Sequence, residues 1–353
     1  MTSIAEGGFW RGRRVLVTGH TGFKGAWLCA LLLRRGATVC GLALPPATTP
    51  SLWALSGYAS YVDERIVDMR NEIGVEAAVS ALRPQTIFHL AAQPLVRRGY
   101  ADPVETYATN VMGTVHVLEA ARHDKGLDSI VVVTSDKVYA DAPRPGGYAE
   151  DARLGGADPY AGSKAAAELV VETYRSAFFS RRGAARIATA RAGNVIGGGD
   201  FAPDRLIPDA YRSIVSGAPL MLRNPEAVRP WQHVLDPLHG YLLLAEALAS
   251  HRITGGAFNF GPDATASVLE VVEHFVRAMG GNPASGITVG PSAEHETAVL
   301  EVDSSHAKSA LGWKPRWSAS AAVELSATWY RDFVGGTPVE RLVARDVDGY
   351  YAG

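Results

Sequence analysis

From Arg13 onward, short runs of β-branched and other apolar residues alternate with longer stretches in which apolar positions recur at helical spacing. Regular alternation of that kind marks parallel strands joined by crossover helices. The pattern predicts strands at 14–18, 38–42, 65–67, 86–90, 129–134 and 186–190, with helices near 25–35, 73–82, 103–123 and 160–181. Their order and spacing specify an α/β fold, a Rossmann-type doubly wound parallel sheet. Past Arg191 the alternation fails, and Gly, Pro and Arg become frequent in RAGNVIGGGDFAPDRLIP. A smaller, substrate-binding lobe is expected to begin there. The stretches 232–249 and 257–260 are regular enough to return to the sheet, so the lobes are expected to interleave. On this division, 1–192 together with 232–261 form the first lobe, and 193–231 with 262–353 form the second.

A chain of 353 residues exceeds what one core ordinarily serves, in keeping with two joined lobes. Its 47% hydrophobic and 20% charged residues describe a globular protein and exclude a disordered one. A net charge of −2 without long Lys/Arg runs excludes a surface that tracks a phosphate backbone, so no nucleic-acid partner is expected. Cys29 and Cys40 sit in apolar, patterned segments without metal-ligand spacing. They read as buried thiols in a reducing compartment, with no metal and no disulfide. The first ten residues are acidic, and no stretch approaches the roughly 18 apolar residues of a membrane helix. A cytoplasmic protein without a membrane partner is expected.

Chemistry concentrates where predicted strands end. The first strand runs into GHTGFKG, which places Gly19, Gly22 and Gly25 at the mouth of the first helix. Gly19 allows a tight turn, Gly22 lets backbone amides reach a pyrophosphate, and Gly25 lets helix and strand pack closely. The helix N-terminus adds partial positive charge for the phosphates. Thr21 and Phe23, between these glycines, complete the candidate dinucleotide contacts. The acid that commonly holds an adenosine ribose at the end of the second strand is absent, since Leu42, Ala43, Leu44 and Pro45 occupy that region. No Arg stands there to take a 2′-phosphate either, which favours NAD as cofactor, with Asp68 as the contact to the adenine amine. Ala91 and Ala92, in HLAAQ, are small enough to let the cofactor pass over the strand ends.

Tyr160 and Lys164 form a Y-x-x-x-K pair at the start of a predicted helix, on one face at i,i+4 spacing. A free tyrosine titrates near pH ~10, but a neighbouring ammonium and an oxidised nicotinamide both favour the phenolate. Lys164 is also placed to hold the nicotinamide ribose. The strand ending in VVVTSDKVY delivers Thr134, Ser135, Asp136 and Lys137 to the same crevice. A simple dehydrogenase needs only the hydroxyl; Asp136 and Lys137 supply an extra acid and base.

Through VTGHTGFKG, HLAAQ, TNVMGT, TSDKVY and YAGSK the chain resembles the extended short-chain dehydrogenase/reductase family. Through AAQPLVRRGY, RAGNVIGGGD, DRLIP and RPWQHVLDPLHGYL it looks, more narrowly, like the CDP-glucose 4,6-dehydratase branch. The likeness extends from about Phe9 to Trp313. The resemblance implies an NAD-dependent dehydration of a nucleotide sugar by a homodimer. It assigns Tyr160 to the C4 hydroxyl proton, Ser135 to positioning the oxygen, Asp136 to protonating the departing C6 hydroxyl, and Lys137 or a second use of Tyr160 to the C5 proton. Related dehydratases carry Thr-Asp-Glu where Ser135, Asp136 and Lys137 stand here. Gln93, Asn194, Arg205 and Arg229 are the candidate contacts to the nucleotide sugar; the two arginines suit forked bonds to phosphate oxygens. His233 and His239 read equally as substrate contacts or as buried structural histidines. Two alternatives stay open: a dehydratase or epimerase acting on another nucleotide sugar, and a nicotinamide-binding regulatory module without catalysis. Retention of Tyr160, Lys164, Asp136 and Lys137 weighs against both simple epimerisation and the inactive module.

Overall fold

The computed structural model describes residues 8–140, 146–181, 183–283, 286–290 and 298–352. Residues 1–7, most of the acidic N-terminal stretch, therefore lie outside the described residues.

Seven parallel strands form the central sheet: β1 (Arg14–Thr18), β2 (Thr38–Ala43), β3 (Asp63–Ile66), β4 (Thr86–His89), β5 (Ser129–Val133), β6 (Arg186–Arg191) and β7 (Gly256–Asn259). Their spatial order, β7-β6-β5-β4-β1-β2-β3, reverses direction between β1 and β4, the topological switch point at which such sheets bind ligands. Both faces of the sheet are covered, and the strands accordingly carry apolar residues at consecutive positions. Val15, Val17, Val131, Val133, Ala188 and Ala190 join one buried core, while Leu16, Ile130, Val132 and Ile187 join the core on the opposite face. Alternation of side chains along each strand thus feeds two cores from one run.

The helices that position the site are α1 (Phe23–Arg34), α2 (Glu72–Leu82), α3 (Gly113–His123), α4 (Pro159–Ala177), α5 (Leu206–Ser216) and α6 (Leu235–Ala249). The expected strand at 65–67 begins earlier, at Asp63. It is an edge strand whose extent follows its pairing with β2, in register Cys40↔Asp63 to Ala43↔Ile66, rather than its own mixed polarity. The single helix expected over 103–123 is three pieces: Pro103–Tyr107, a π-helical turn at Ala108–Met112, and α3. The widened turn carries Asn110 inward, where its side chain bonds the backbone N–H and C=O of Gln93 and the hydroxyl of Ser163. Single π turns of this kind recur at functional sites.

Past β6 the chain leaves the sheet, then returns through α6 and β7, which pairs with β6 from Gly256↔Ala188 to Asn259↔Arg191. Helix α6 buries nearly every residue, as expected for a helix apolar on all sides. Outside the sheet stand the helices Val268–Ala278 and Ala319–Val334 and short strand pairs, including Leu220–Leu222 with Ile287–Val289. Both cysteines are free and buried. Among the described residues no helix is long and apolar enough to cross a membrane.

Candidate active site

Four strand ends and two helix N-termini meet in one crevice. At the end of β1, Gly19 has φ +73, and a Cβ there would stand 2.7 Å from the Ala91 nitrogen. A Cβ on Gly25 would lie only 2.1 Å from the Gly19 carbonyl oxygen. Both positions therefore require glycine, one for backbone conformation and one for close approach. Gly22 caps α1 without any side-chain bond, so the first turn presents its amides to whatever lies above the loop. The neighbours brace the cradle: Thr21 donates to the Leu44 carbonyl at 2.8 Å, and the amides of Leu90 and Ala91 both donate to the Thr18 hydroxyl at 3.1 Å. Such a concavity of backbone donors, with Ala91 forming its wall, fits the pyrophosphate of a dinucleotide. Beyond β3, Asp68 holds Arg70 through bonds of 2.6 to 3.0 Å, which keeps its carboxyl below the usual range.

Tyr160 and Lys164 occupy the first turns of α4, whose N-terminus is capped by Asp158 and opened by Pro159. Both are buried. Lys164 Nζ donates to the Val133 carbonyl at 3.0 Å, and burial pulls its pKa down to about 8. Burial pushes the Tyr160 phenol up, opposed by a hydrogen bond with the Ser135 side chain and by the positive charge of Arg205. Following β5, Ser135 caps a single 3-10 turn over Asp136–Val138 and accepts the Lys137 amide at 3.2 Å. The Asp136 carboxylate is fully buried; Oδ1 receives Ser135 Oγ at 3.1 Å and Lys137 Nζ at 3.3 Å, while Oδ2 has no hydrogen-bond partner among the described residues. Gly193, at the end of β6, makes room for it, since a Cβ there would fall 1.7 Å from that same oxygen. A buried acid with one oxygen unengaged beside Gly193 has the free lone pairs that a proton transfer needs.

The sequence did not single out Lys24. It stands inside the glycine loop, its Nζ 3.5 Å from the Ala192 carbonyl, and burial lowers its pKa to about 7. The fields of Arg205, Asp136, Lys164 and Lys137 all reach it, which makes the crevice strongly cationic. The available signal was a charged residue between two glycines, where apolar or small residues suffice for the turn. Such a surplus of cations suits the diphosphates of a dinucleotide and of a sugar nucleotide.

The four substrate candidates are placed differently. Arg205 immediately precedes α5, with Nε 3.9 Å from Asp200, and its charge acts on Tyr160. Asn194 takes a left-handed conformation, φ +47, with its buried Oδ1 without a partner among the described residues. Gln93 is buried, with Nε2 donating to Thr106 at 2.9 Å and Oε1 accepting the Leu95 amide at 2.6 Å. Arg229 is buried and donates to the carbonyls of Val228 and Ala298 at 2.9 and 3.3 Å. The histidines are structural in their surroundings. His233 is fully buried, accepts the Leu235 amide, and is driven down to about 3 by burial; His239 bonds the Tyr351 hydroxyl at 3.1 Å.

A backbone cradle for a dinucleotide, beside a Ser–Tyr–Lys group extended by a buried acid and a further lysine, defines a sugar-nucleotide oxidoreductase that also eliminates. The chain belongs to the GDP-mannose 4,6 dehydratase family, whose model matches residues 16–325. It is 41% identical over 349 residues to the CDP-glucose 4,6-dehydratase of Salmonella typhimurium, covering 97% of each chain. It is 31% identical to the dTDP-glucose 4,6-dehydratase of Streptomyces griseus, over 90% of this chain and 93% of that one. Its fold matches the UDP-glucose 4-epimerase of Thermus thermophilus in complex with NAD, with a TM-score of 0.78 at 26% identity over 90% of this chain and 99% of the other. The expected Rossmann-type fold and dehydratase family are both borne out.

Proposed function

We propose that the protein is a cytoplasmic, NAD-dependent 4,6-dehydratase that converts CDP-glucose to CDP-4-keto-6-deoxyglucose. The observation that carries this reading is the Asp136–Lys137 pair, set beside the Ser135–Tyr160 hydrogen bond at the end of β5. Identity of 41% to a CDP-glucose dehydratase, against 31% or less to the other relatives considered, supports the nucleotide base. Backbone amides after Gly22, together with Thr21, Phe23, Ala91, Ala92 and Asp68, would hold the cofactor from pyrophosphate to adenine. Lys164 and Tyr160 would border its nicotinamide riboside, and Asn194, Arg205 and Arg229 the diphosphate of the sugar nucleotide. The division of labour between the lobes follows: 1–192 with 232–261 serves the cofactor, and 193–231 with 262–353 serves the sugar nucleotide.

Elimination of water across C5 and C6 of a hexose is slow because C5–H is not acidic; a ketone at C4 makes it so. Bound NAD supplies the acceptor, and later the donor, of a single hydride. Tyr160 takes the C4 hydroxyl proton, its phenolate favoured by Ser135 and by the charges of Arg205 and Lys164. Lys137, or Tyr160 again, removes the C5 proton while Asp136 protonates the C6 hydroxyl, which departs as water. With the hydride that bound NAD would give back at C6 and a proton at C5, the only net loss is water. An epimerase needs no group to expel water, and Asp136 would have no task in one.

Incubation with CDP-, UDP- and dTDP-glucose, reading 4-keto product, tests the proposal. CDP-glucose is expected to exceed the others by orders of magnitude in kcat/KM, because a site that hydrogen-bonds one base leaves buried groups unpaired with another. Equal constants would overturn the assignment of the base, and absence of any 4-keto sugar the assignment of the reaction. A homodimer is proposed as well. Tyr100, Val104, Tyr107, Met112 and Leu169 are exposed on and beside the helices that flank one edge of the site, an apolar face suited to two-fold pairing. A solution mass corresponding to monomer alone would refute it.

A further inference from the structure

A buried ion pair beneath the catalytic turn takes no part in the chemistry above. Glu168 and Arg191 have side chains only 4% exposed, and Arg191 Nε and Nη2 reach the carboxylate at 3.0 and 2.9 Å. Two of the remaining bonds of the pair lead to the flanks of the catalytic turn. Immediately before the Ser135–Lys137 turn, the Thr134 hydroxyl donates to Glu168 Oε1. Just after it, Arg191 Nη1 donates to the Tyr139 hydroxyl at 3.0 Å, which donates onward to Asn259 Oδ1 at 2.6 Å. Thr189 on β6 adds a bond to Glu168 at 2.7 Å, and the Glu150 carbonyl one from Arg191 at 3.0 Å. The segment holding Ser135, Asp136 and Lys137 is therefore tied at both flanks to a single pair of charges.

Glu168 has a second relation to the site, one helical turn beyond Lys164. Its negative charge acts on the Lys164 ammonium against the burial that pulls it down. The other charged groups around that lysine do not help it. His89, from β4, is kept neutral by burial, and Lys24, from α1, is a further cation; Asp136, Lys137 and Arg205 act on Lys24 across the crevice, and Tyr160 lies one turn earlier on α4.

We infer that the Glu168–Arg191 pair is a positioning device for catalysis, fixing the Ser135–Asp136–Lys137 turn at both ends from a place one helical turn beyond Lys164. The inference rests on the assignment of Tyr160 and Lys164 to the first oxidation. Without the Glu168 charge, the ammonium loses its proton at lower pH, so the alkaline limb of that step moves toward neutrality.

The experiment follows nicotinamide reduction in single turnovers with CDP-glucose from pH 6 to 10, for the wild type and Glu168→Gln. The expected result is an alkaline limb lower by about one pH unit or more, with a roughly 10-fold loss of rate at pH 8 and KM changed by less than about 3-fold. Glu168→Asp should recover part of the lost rate. A folded Glu168→Gln enzyme with the wild-type profile, or one slowed equally at every pH, overturns the inference. Should Glu168→Gln not accumulate as folded protein, Thr134→Val and Tyr139→Phe each cut one flank and leave the ion pair. Each is then expected to lower kcat while sparing KM, and wild-type kcat in both overturns the inference. Tyr160→Phe separates the two readings: if it still reduces NAD, the assignment of the catalytic group has failed whatever Glu168 does.

Discussion

The two ends of the crevice are built on opposite principles. At the cofactor end the decisive feature is missing side chains: Gly19 and Gly25 leave space that a single methyl group would fill, and the donors are backbone amides at the start of α1. At the catalytic end the decisive feature is buried charge: Asp136, Lys164, Glu168 and Arg191 are all enclosed, with partners that are mostly other side chains. Backbone donors do not titrate, so their share of the cofactor cradle is the same at any ordinary pH, and Lys24, lowered to about 7, is the titrating group there. Buried charges shift one another's proton affinities, so the catalytic end depends on pH and on its neighbours. Removing one partner of an enclosed ion pair leaves an unpaired charge, at a cost of about 3–5 kcal/mol. One end thus fails chiefly on added volume, whereas the other fails on lost charge.

Three substitutions probe that contrast, in descending order of expected effect. Tyr160→Phe keeps the ring and removes the proton acceptor; nicotinamide reduction in a single turnover is expected to fall by about 10²–10⁴, while NAD affinity by calorimetry stays near the wild-type value. Lys137→Met should still reduce bound NAD on adding substrate, yet lose C6 elimination and C5 exchange with heavy water by a factor on the order of 10². Deuterium at C5 and product formation read this directly. Parent-rate formation of the 4-keto-6-deoxy product would return the C5 proton to Tyr160. Gly25→Ala places a Cβ against the Gly19 carbonyl, and overpacking of about 1–3 kcal/mol should weaken NAD binding by roughly 10- to 100-fold. Its rate at saturating NAD should approach that of the parent. If that rate collapses too, the two ends are not separable in the way described.

The parts read most easily from sequence are those set by local pattern. β1 was anticipated residue for residue, because five consecutive positions ending at a glycine turn leave little freedom. Tyr160 and Lys164 were legible because i,i+4 spacing alone puts them on one helix face. The helix expected over 103–123 was misread at 108–112, since the π turn exists to swing Asn110 under Gln93 and beside Ser163, contacts that span 17 and 53 positions. Gln93, read as a substrate contact, gives one amide N–H to Thr106 and accepts the Leu95 amide, bonds that its position in the sequence does not announce.

What the sequence determined by itself was the alternating αβ order, the glycine turn, the i,i+4 pair of Tyr160 and Lys164, and the strand-end acid. Each is encoded within a few consecutive residues, where periodicity and steric rules act directly. Only the tertiary structure decided that Lys24 enters the catalytic field, that Asp136 keeps one oxygen unengaged over Gly193, and that Glu168 and Arg191 clamp the turn between Thr134 and Tyr139. Those relations join α1, the ends of β5 and β6, and α4, far apart in the chain. The energy of a buried charge is set by what surrounds it in space, and chain order does not record that.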